Sequence, residues 1–186
     1  MSADDEGPKA NPEASVFRFI AGQVRGCRSI LDIGSGLGAY LNCGVPFRAA
    51  VDAYAPYLAR LTAEVKMQGR AQDVLPRLGA RSFDAVICID MIEHTEKAEG
   101  LALLAEMARI AARVAVVFTP LGFHPQDEDG WGLGGDHWQK HRSGWVPGDF
   151  AAPWQPLVWS AFTHGKPDLP AGALWAVYRA AGGVME

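Results

Sequence analysis

The chain is poor in cysteine, and its few thiols form no functional pattern. Cys27, Cys43 and Cys88 are an odd number of cysteines, and their spacings match no zinc or redox motif. Cys88 lies inside an apolar segment, which favours a role in core packing. The sequence therefore argues against a disulfide-based scaffold and predicts reduced thiols.

Long apolar runs and clusters of basic residues are also absent. No apolar run approaches the roughly 18 residues of a membrane helix, and the polar, acidic N-terminus is unlike a signal peptide. The net charge is −4, and no run of basic residues gives the electrostatic footprint of nucleic-acid binding. We therefore expect a cytoplasmic protein with no membrane span, and we disfavour a nucleic-acid substrate.

The overall composition is that of an ordinary globular domain. Of the 186 residues, 49% are apolar and 20% are charged, which is typical of a chain that buries a sizeable core. The polar residues 1–12 are predicted to be a disordered tail. Residues 13–186 are predicted to form a single domain.

The most informative segment is a short apolar strand that runs into a glycine-rich turn at residues 30–39. Its glycines permit a sharp turn and let a ligand approach the backbone closely. A strand, a glycine-rich turn and a following helix N-terminus form a nucleotide-type cofactor site. Gly34, Gly36 and Ala39 fit the dinucleotide pattern G-x-G-x-x-G/A, which indicates NAD or FAD.

Asp32 favours a different cofactor. A carboxylate two positions before the first glycine repels the anionic pyrophosphate of a dinucleotide. The same carboxylate is favourable beside an amino group and a sulfonium. With Asp32 included, the segment reads D-x-G-x-G-x-G. It then resembles the first motif of the class I S-adenosylmethionine (SAM)-dependent methyltransferases.

Three later segments extend this resemblance. A second strand ends at Asp52, 18 residues after Gly34, where an acid is expected to bind ribose hydroxyls in either cofactor class. Residues 70–74, Arg-Ala-Gln-Asp-Val, resemble the family's third-strand element, in which an acid and the next backbone N–H bind adenine. Residues 90–94, Asp-Met-Ile-Glu-His, follow an apolar strand. They are similar to the fourth-strand motif of the small-molecule methyltransferases related to quinone biosynthesis.

The resemblance implies SAM as the cofactor and S-adenosylhomocysteine (SAH) as its product. The turn at 34–38 would hold the methionine part, Asp32 would lie near its amino group, and Asp52 would bind the ribose. Asp73 and the backbone of Val74 would bind the adenine. The complete implied set is Asp32, Gly34, Ser35, Gly36, Gly38, Asp52, Ala53, Asp73, Val74, Asp90 and Met91.

Strand and helix signals alternate along the chain. Strands are expected near 29–33, 47–52, 69–72, 84–89, 113–120, 156–162 and 173–179. Helices are expected at 12–25 and 96–112, and Leu58, Leu61 and Val65 indicate one face of another helix. This pattern predicts an α/β fold with a doubly wound, mostly parallel seven-stranded sheet and a three-layer α/β/α arrangement. No long helix separates the last two strands, so a hairpin with an antiparallel last strand is expected.

The segment 121–156 departs from this alternation. It is rich in Gly and Pro, and a loop of this length is usually functional. It follows the fifth strand, so it should overhang the carboxyl ends of the strands, where ligands bind. We therefore predict a lid or substrate wall; the alternative is that its tryptophans only pack onto the sheet. The candidate acceptor contacts are Trp131, His137, Trp138, His141 and Trp145.

His94 is the candidate catalytic residue, because a general base at that place would take a proton from the acceptor. The alternative is a histidine that only shapes the pocket. His137 and His141 lie four apart and, with Asp127, Asp129 or Asp136, would suit a metal. No further motif supports that arrangement, so no metal site is predicted. Glu93 is a candidate helix cap, and the charges at 125–129 are expected to lie on a solvated loop.

The sequence therefore predicts a SAM-dependent methyltransferase that acts on a small-molecule acceptor. The fourth strand is not followed by Asn/Asp-Pro-Pro-Tyr/Phe, the signature of amino-methylating relatives, which favours O- or C-methylation. The alternatives are an NAD(P)-dependent oxidoreductase and a non-catalytic SAM-binding or partner-assembly protein. A monomer or a homodimer is expected.

Overall fold

The central strands are continuous apolar runs because both faces of the sheet are covered. The structure is a computed structural model that describes residues 12–163 and 172–181. Its seven strands form one sheet in the order β3-β2-β1-β4-β5-β7-β6. They are β1 (Ser29–Ile33), β2 (Phe47–Asp52), β3 (Val65–Gln68), β4 (Phe83–Ile89), β5 (Ala111–Pro120), β6 (Gln155–Trp159) and β7 (Ala173–Arg179).

Strand directions agree with the predicted topology. The pairs β1–β2, β1–β4, β2–β3 and β4–β5 are parallel, whereas β7 runs antiparallel to both β5 and β6. The predicted seven-stranded, mostly parallel sheet with an antiparallel last strand is confirmed. The carboxyl ends of β1, β2 and β4 consequently lie side by side, which brings together the segments that follow these strands.

Helices and loops cover both faces of the sheet. The helices are α1 (Pro12–Gln23), α2 (Ala55–Arg60), α3 (Ala71–Val74), α4 (Lys97–Ile110) and α5 (Asp136–Gln139), with single 3₁₀ turns at Ile92–His94 and Pro147–Asp149 among others. One core contains α4 residues such as Met107 with Trp145 and Trp154. The other contains α1 residues such as Ile20 with Trp175. The three-layer arrangement is confirmed.

The third strand was predicted in the wrong place. It occupies Val65–Gln68 rather than 69–72, and residues 71–74 form α3 instead. Val65 was expected on a helix face, but α2 ends at Arg60 and Val65 pairs with Ala49 of β2. β3 is an edge strand whose side chains are mostly exposed. Such a strand carries little of the apolar signal on which the prediction depended.

No helix follows the glycine-rich turn, contrary to the expectation from sequence. Residues 34–46 form a series of turns that leads directly into β2. Gly34, Gly36, Gly38 and Gly44 all have positive φ, a backbone conformation that an α-helix does not contain. The turn therefore has no helix dipole, and the cofactor site lacks the feature that suits a pyrophosphate.

Parts of two predictions lie outside the described residues. The expected disordered tail, residues 1–12, lies outside the described residues except for Pro12, the first residue of α1. Residues 164–171, in the connection between β6 and β7, also lie outside the described residues. Within the described ranges, every helix is too short or too polar to cross a bilayer.

Candidate cofactor and acceptor site

A large cavity lies at the carboxyl ends of β1, β2 and β4. Its volume is about 890 Å³, near the upper end of the range for small-molecule sites. The glycine-rich turn and the ends of β2 and β4 form one side, and residues 120–142 form the other. Of the implied cofactor residues, the cavity is lined by Asp32, Gly34, Ser35, Asp52, Ala53, Asp90 and Met91.

Backbone N–H groups of the glycine-rich turn bind within the protein. Those of Gly34 and Ser35 donate to the carbonyl of Val51 at 2.8 and 3.1 Å. That of Gly36 donates to Oδ2 of Asp52 at 2.9 Å. The turn therefore does not present these N–H groups to a ligand, which disfavours a pyrophosphate. Among the described residues, the buried Oγ of Ser35 has no hydrogen-bond partner, and it faces a cavity that could supply one.

The glycines also make room for side chains of this chain. A Cβ on Gly34 would overlap the side chain of Met91, and a Cβ on Gly36 would overlap the indole of Trp131. A Cβ on Gly38 would lie 2.8 Å from Cβ of Leu61. The spacing of the glycines thus reflects close packing of neighbouring side chains as well as access for a ligand.

Four acidic side chains give the cavity its electrostatic character. Burial and the nearby Asp52 raise the pKa of Asp32 to about 8. Burial also raises the pKa of Asp52 and brings that of Asp90 to about 7. Burial and the charge of Asp90 raise the pKa of Glu93 well above its usual value. Ionising this group of acids is costly while the cavity is empty. The cavity therefore favours a cationic ligand.

Asp52 is held in place by two backbone groups. Its Oδ2 accepts the N–H of Gly36, and its Oδ1 accepts the N–H of Tyr54 at 2.8 Å. These bonds fix the carboxylate at the end of β2, facing the cavity. A carboxylate oxygen has further lone pairs, so this arrangement suits ribose hydroxyls.

The structure places Asp73 and Val74 away from the cavity. Asp73 is exposed on α3, and Val74 packs against the core. The preceding residues, Gly69 to Gln72, line the cavity instead. Arg70 is among them and forms an ion pair with Glu99 of α4 at 2.6 Å. The misplacement of β3 by a few residues explains why the sequence pointed to the wrong side chain.

Four of the five predicted acceptor contacts line the cavity: Trp131, His137, Trp138 and His141. Trp145 does not, and its prediction as an acceptor contact is wrong. Its side chain is fully buried beside Gly100, and the ammonium of Lys97 lies 4.0 Å from its ring centroid. For Trp145 the alternative interpretation, packing onto the sheet, is correct.

Asp129 organises the segment that carries these residues. Its carboxylate accepts the N–H groups of Trp131, Leu133 and Gly135 at 2.8 to 3.0 Å. The side chain of Asp136 accepts the N–H of Asp129 at 2.7 Å. Asp129 is only 9% exposed, so the expectation of a merely solvated charge is wrong for this residue.

Two tyrosines at the N-terminal end of α2 anchor the same segment, and neither was singled out from the sequence. The hydroxyl of Tyr54 donates to the carbonyl of Leu133 at 2.8 Å. The buried ring of Tyr57 contacts Trp131 edge to face, with the centroids 4.8 Å apart. A Cβ on Gly135 would overlap the Tyr57 hydroxyl. The pair Gly134-Gly135 was the available signal, because adjacent glycines often mark a close approach.

His94 lines the cavity beside His141. Its Nδ1 is 3.3 Å from the carbonyl of Lys140, and its ring centroid is 4.7 Å from that of His141. Burial and the nearby His141 lower the pKa of His94 to about 4. The imidazole is therefore neutral at pH 7 and accepts a proton poorly.

Glu93 is a buried acid of the cavity and caps no helix. Thr119 Oγ1 donates to its Oε2 at 2.9 Å. The capping box of α4 is formed by Glu96 and Glu99 instead, so the capping prediction for Glu93 is wrong.

The structure groups the histidines differently from the arrangement considered on the sequence. Within the described part of the chain, the cluster of potential metal ligands is Glu93, His94 and His141. It does not include His137 or an aspartate of 127–136.

Comparisons with known proteins agree with the fold. A structure described as a SAM-dependent methyltransferase from Archaeoglobus fulgidus has a TM-score of 0.67 and 15% identity, over 90% of this chain and 92% of that one. Magnesium protoporphyrin IX methyltransferase from Synechocystis, with bound SAM, has a TM-score of 0.55 and 16% identity, over 89% and 77%. The plantazolicin methyltransferase, in complex with SAH, has a TM-score of 0.61 and 9% identity, over 90% and 84%.

Sequence comparison finds a similar family over part of the chain. No curated protein sequence matches the chain. Residues 31–118, from β1 to β5, match the sequence profile of a family described as a methyltransferase domain. This range contains the glycine-rich turn, Asp52, Asp90 and His94. Residues 31–118 are therefore similar to this methyltransferase domain family, and the chain has the class I fold of the SAM-dependent methyltransferases.

Proposed function

We propose that this protein transfers a methyl group from SAM to a small-molecule acceptor, at oxygen or carbon. The observation that carries the proposal is the shared cavity. At one side it has acids and a glycine-rich turn suited to the cofactor, and at the other it has histidines and tryptophans. A cofactor and an acceptor bound in one cavity are held close together, so the methyl group passes directly from one to the other.

The cofactor side suits SAM in charge and in shape. When bound, SAM supplies an electrophilic methyl group on a positively charged sulfur. We assign Asp32 to its amino group, Asp52 to the ribose and Ser35 Oγ to the methionine carboxylate. The buried acids then gain a cationic partner, which offsets the cost of ionising them. Met91, packed over Gly34, would limit how far the methionine part moves.

The adenine assignment differs from the one made on the sequence. Residues 69–72 line the cavity, whereas Asp73 lies outside it. We therefore assign adenine binding to the backbone of this stretch and to Arg70, rather than to Asp73 and Val74. The Arg70–Glu99 ion pair would hold the guanidinium at the edge of the base.

Residues 121–142 are assigned to the acceptor wall and the lid of the site. Trp131, His137, Trp138 and His141 give it aromatic and imidazole surface that suits a planar or hydroxylated small molecule. A small-molecule acceptor is supported by the fold similarity to magnesium protoporphyrin IX methyltransferase and by the lack of a basic cluster. The low pKa of His94 favours a role in shaping this wall over one as a general base.

The first experiment is a binding titration. Calorimetry with SAH should show one site per chain, and NAD⁺ should show none. Asp52→Ala should weaken SAH binding by about tenfold or more, because a charged hydrogen bond is lost. Asp73→Ala is the matched control and should bind SAH as the unmodified chain does. Binding of NAD⁺ without SAH would favour the oxidoreductase alternative and contradict the proposal.

The second experiment measures turnover. SAM labelled at the methyl group should transfer label to hydroxyl, carboxyl or activated-carbon compounds in a broad panel, with short RNA as a further arm. If SAH binds and no compound is labelled, the non-catalytic alternative is favoured. If only RNA is labelled, a small-molecule acceptor is wrong.

The remaining sequence expectations concern the environment of the protein. A cytoplasmic location and a monomeric or homodimeric state stay predictions. Light scattering during size-exclusion chromatography measures the oligomeric state directly, and fractionation of the source cells tests the location.

A further inference from the structure

We propose that Glu93, His94 and His141 form a divalent metal site at the acceptor end of the cavity, and that this metal binds an oxygen atom of the methyl acceptor. The role toward the acceptor rests on the proposed methyltransferase function. The metal site itself does not, because it follows from the three side chains alone.

The fold brings the three ligands together from two separate segments. Glu93 and His94 belong to the 3₁₀ turn after β4, and His141 belongs to the segment after β5. One ligand atom from each lies within 4.8 Å of the others. The N–H groups of Arg142 and Ser143 donate to the Glu93 carbonyl at 2.8 and 3.0 Å. These bonds hold the two segments in register.

The separation is compatible with a bound ion. An ion held at about 2.1 Å from each donor brings the donors to about 3 Å from one another. Side-chain movements of roughly 1–2 Å bring the ligand atoms from their present separation to that distance. All three residues line the cavity, so coordination positions not used by the protein would face the acceptor.

Backbone carbonyls orient both imidazoles. Nδ1 of His94 lies 3.3 Å from the carbonyl of Lys140, and Nδ1 of His141 lies 2.5 Å from the carbonyl of His124. Because a carbonyl only accepts, each Nδ1 donates and the lone pair lies on Nε2. Metal-bound histidines commonly have such outer partners, which fix the tautomer and the ring orientation.

Glu93 is held just as firmly. It is buried, and Thr119 Oγ1 donates to one of its two carboxylate oxygens. The other oxygen can coordinate. Two imidazoles and one carboxylate suit Mn²⁺, Fe²⁺, Co²⁺ or Zn²⁺ better than Mg²⁺ or Ca²⁺, which prefer oxygen ligands. We therefore infer a first-row transition metal.

The site specifies the class of acceptor. A hydroxyl bound to a divalent metal has a lowered pKa and loses its proton to water more readily. The alkoxide oxygen then forms a bond to the methyl carbon as the bond from that carbon to sulfur breaks, and the electron pair stays on sulfur. The products are a methyl ether, SAH and the released proton. The proposal thus selects O-methylation over C-methylation.

Mn²⁺ titration tests the site without any cofactor. The purified chain is stripped with a chelator and titrated with Mn²⁺, and the loss of the free-ion electron paramagnetic resonance signal is followed. We expect one ion per chain. His141→Phe keeps an aromatic ring and should weaken binding by about tenfold or more. His137→Phe, on the same segment and outside the cluster, should leave binding unchanged. Circular dichroism verifies that each variant is folded.

The outcomes separate the metal site from the proposed function. If neither Mn²⁺ nor Zn²⁺ binds, or if His141→Phe binds as well as the unmodified chain, the metal site is wrong, whatever SAH binding shows. If Mn²⁺ binds as expected but SAH does not, the metal site stands and the methyltransferase function is wrong. If both bind, labelling of hydroxyl acceptors should stop after chelation and return with Mn²⁺. Labelling that is unaffected by chelation contradicts the acceptor role.

Discussion

Side chains of the glycine-rich turn and its neighbours pack so closely that single residues decide the shape of the site. Gly36 has a φ of 51° and lies against the indole of Trp131. Gly34 lies against Met91 in the same way. Trp131 also contacts Tyr57, so one tryptophan connects the cofactor turn, the acceptor wall and the region of α2.

Gly36→Ala should both strain the backbone and displace Trp131. The left-handed conformation alone costs an alanine about 1–2 kcal/mol, and the overlap with the indole adds to it. We expect a lower free energy of unfolding and weaker SAH binding, measured by urea denaturation and calorimetry. Gly148→Ala is the control, since its φ is not positive and a Cβ there meets no atom within 4 Å. Equal stability of the two variants would contradict this account.

Two tryptophans of one segment should behave in opposite ways. Trp145 is fully buried, so Trp145→Ala should lower the free energy of unfolding by about 3–5 kcal/mol. Trp131 is 47% exposed and lines the cavity, so Trp131→Ala should cost much less stability and mainly weaken ligand binding. Urea denaturation of both variants measures the difference. A larger loss for Trp131→Ala would show that the assignment is reversed.

At the scale of elements, the site is assembled by loops that lack regular structure. The turns at 34–46 replace a helix, and residues 121–142 contain little more than the four-residue α5. Such segments keep one conformation because specific polar groups satisfy their backbone. Asp129 does this for the acceptor wall, and Asp52 does it for the glycine-rich turn.

Asp129→Ala should loosen the acceptor wall. The variant leaves three backbone N–H groups without their acceptor. That of Gly135 is buried, and a buried N–H without a partner costs about 1–3 kcal/mol. Hydrogen exchange should speed up across 129–139, and the free energy of unfolding should fall. Glu128→Ala removes a neighbouring exposed acid and should change neither. Unaltered exchange in Asp129→Ala would contradict the role assigned to this carboxylate.

At the scale of the whole molecule, the acids that line the cavity contribute to the pH dependence of stability. Burial raises the pKa of Asp32 to about 8 and that of Asp90 to about 7. Between the unfolded pKa of about 4 and these folded values, the folded chain holds protons that the unfolded chain has released. The free energy of unfolding therefore falls as the pH rises through this window.

We expect the cofactor-free chain to be more stable at pH 5 than at pH 8. Asp32→Asn should flatten this dependence, because an amide has no proton to release in that range. Urea midpoints at pH 5, 6, 7 and 8 for both chains provide the test. Since His94, whose pKa is lowered to about 4, acts oppositely below about pH 6.5, the informative quantity is the difference between the chains. Parallel profiles would contradict a raised pKa of Asp32.

The sequence determined the framework of this protein, and the tertiary structure decided the residues of its site. Continuous apolar runs specified the buried strands because both faces of the sheet are covered, and D-x-G-x-G-x-G located the cofactor turn. Exposed β3 gave no such signal, so the adenine end was assigned to Asp73 instead of residues 69–72. Trp145 and Trp131 look alike in sequence, and only packing separates a core side chain from a cavity wall. Likewise, only the contact between two distant segments brings Glu93 and His94 to His141.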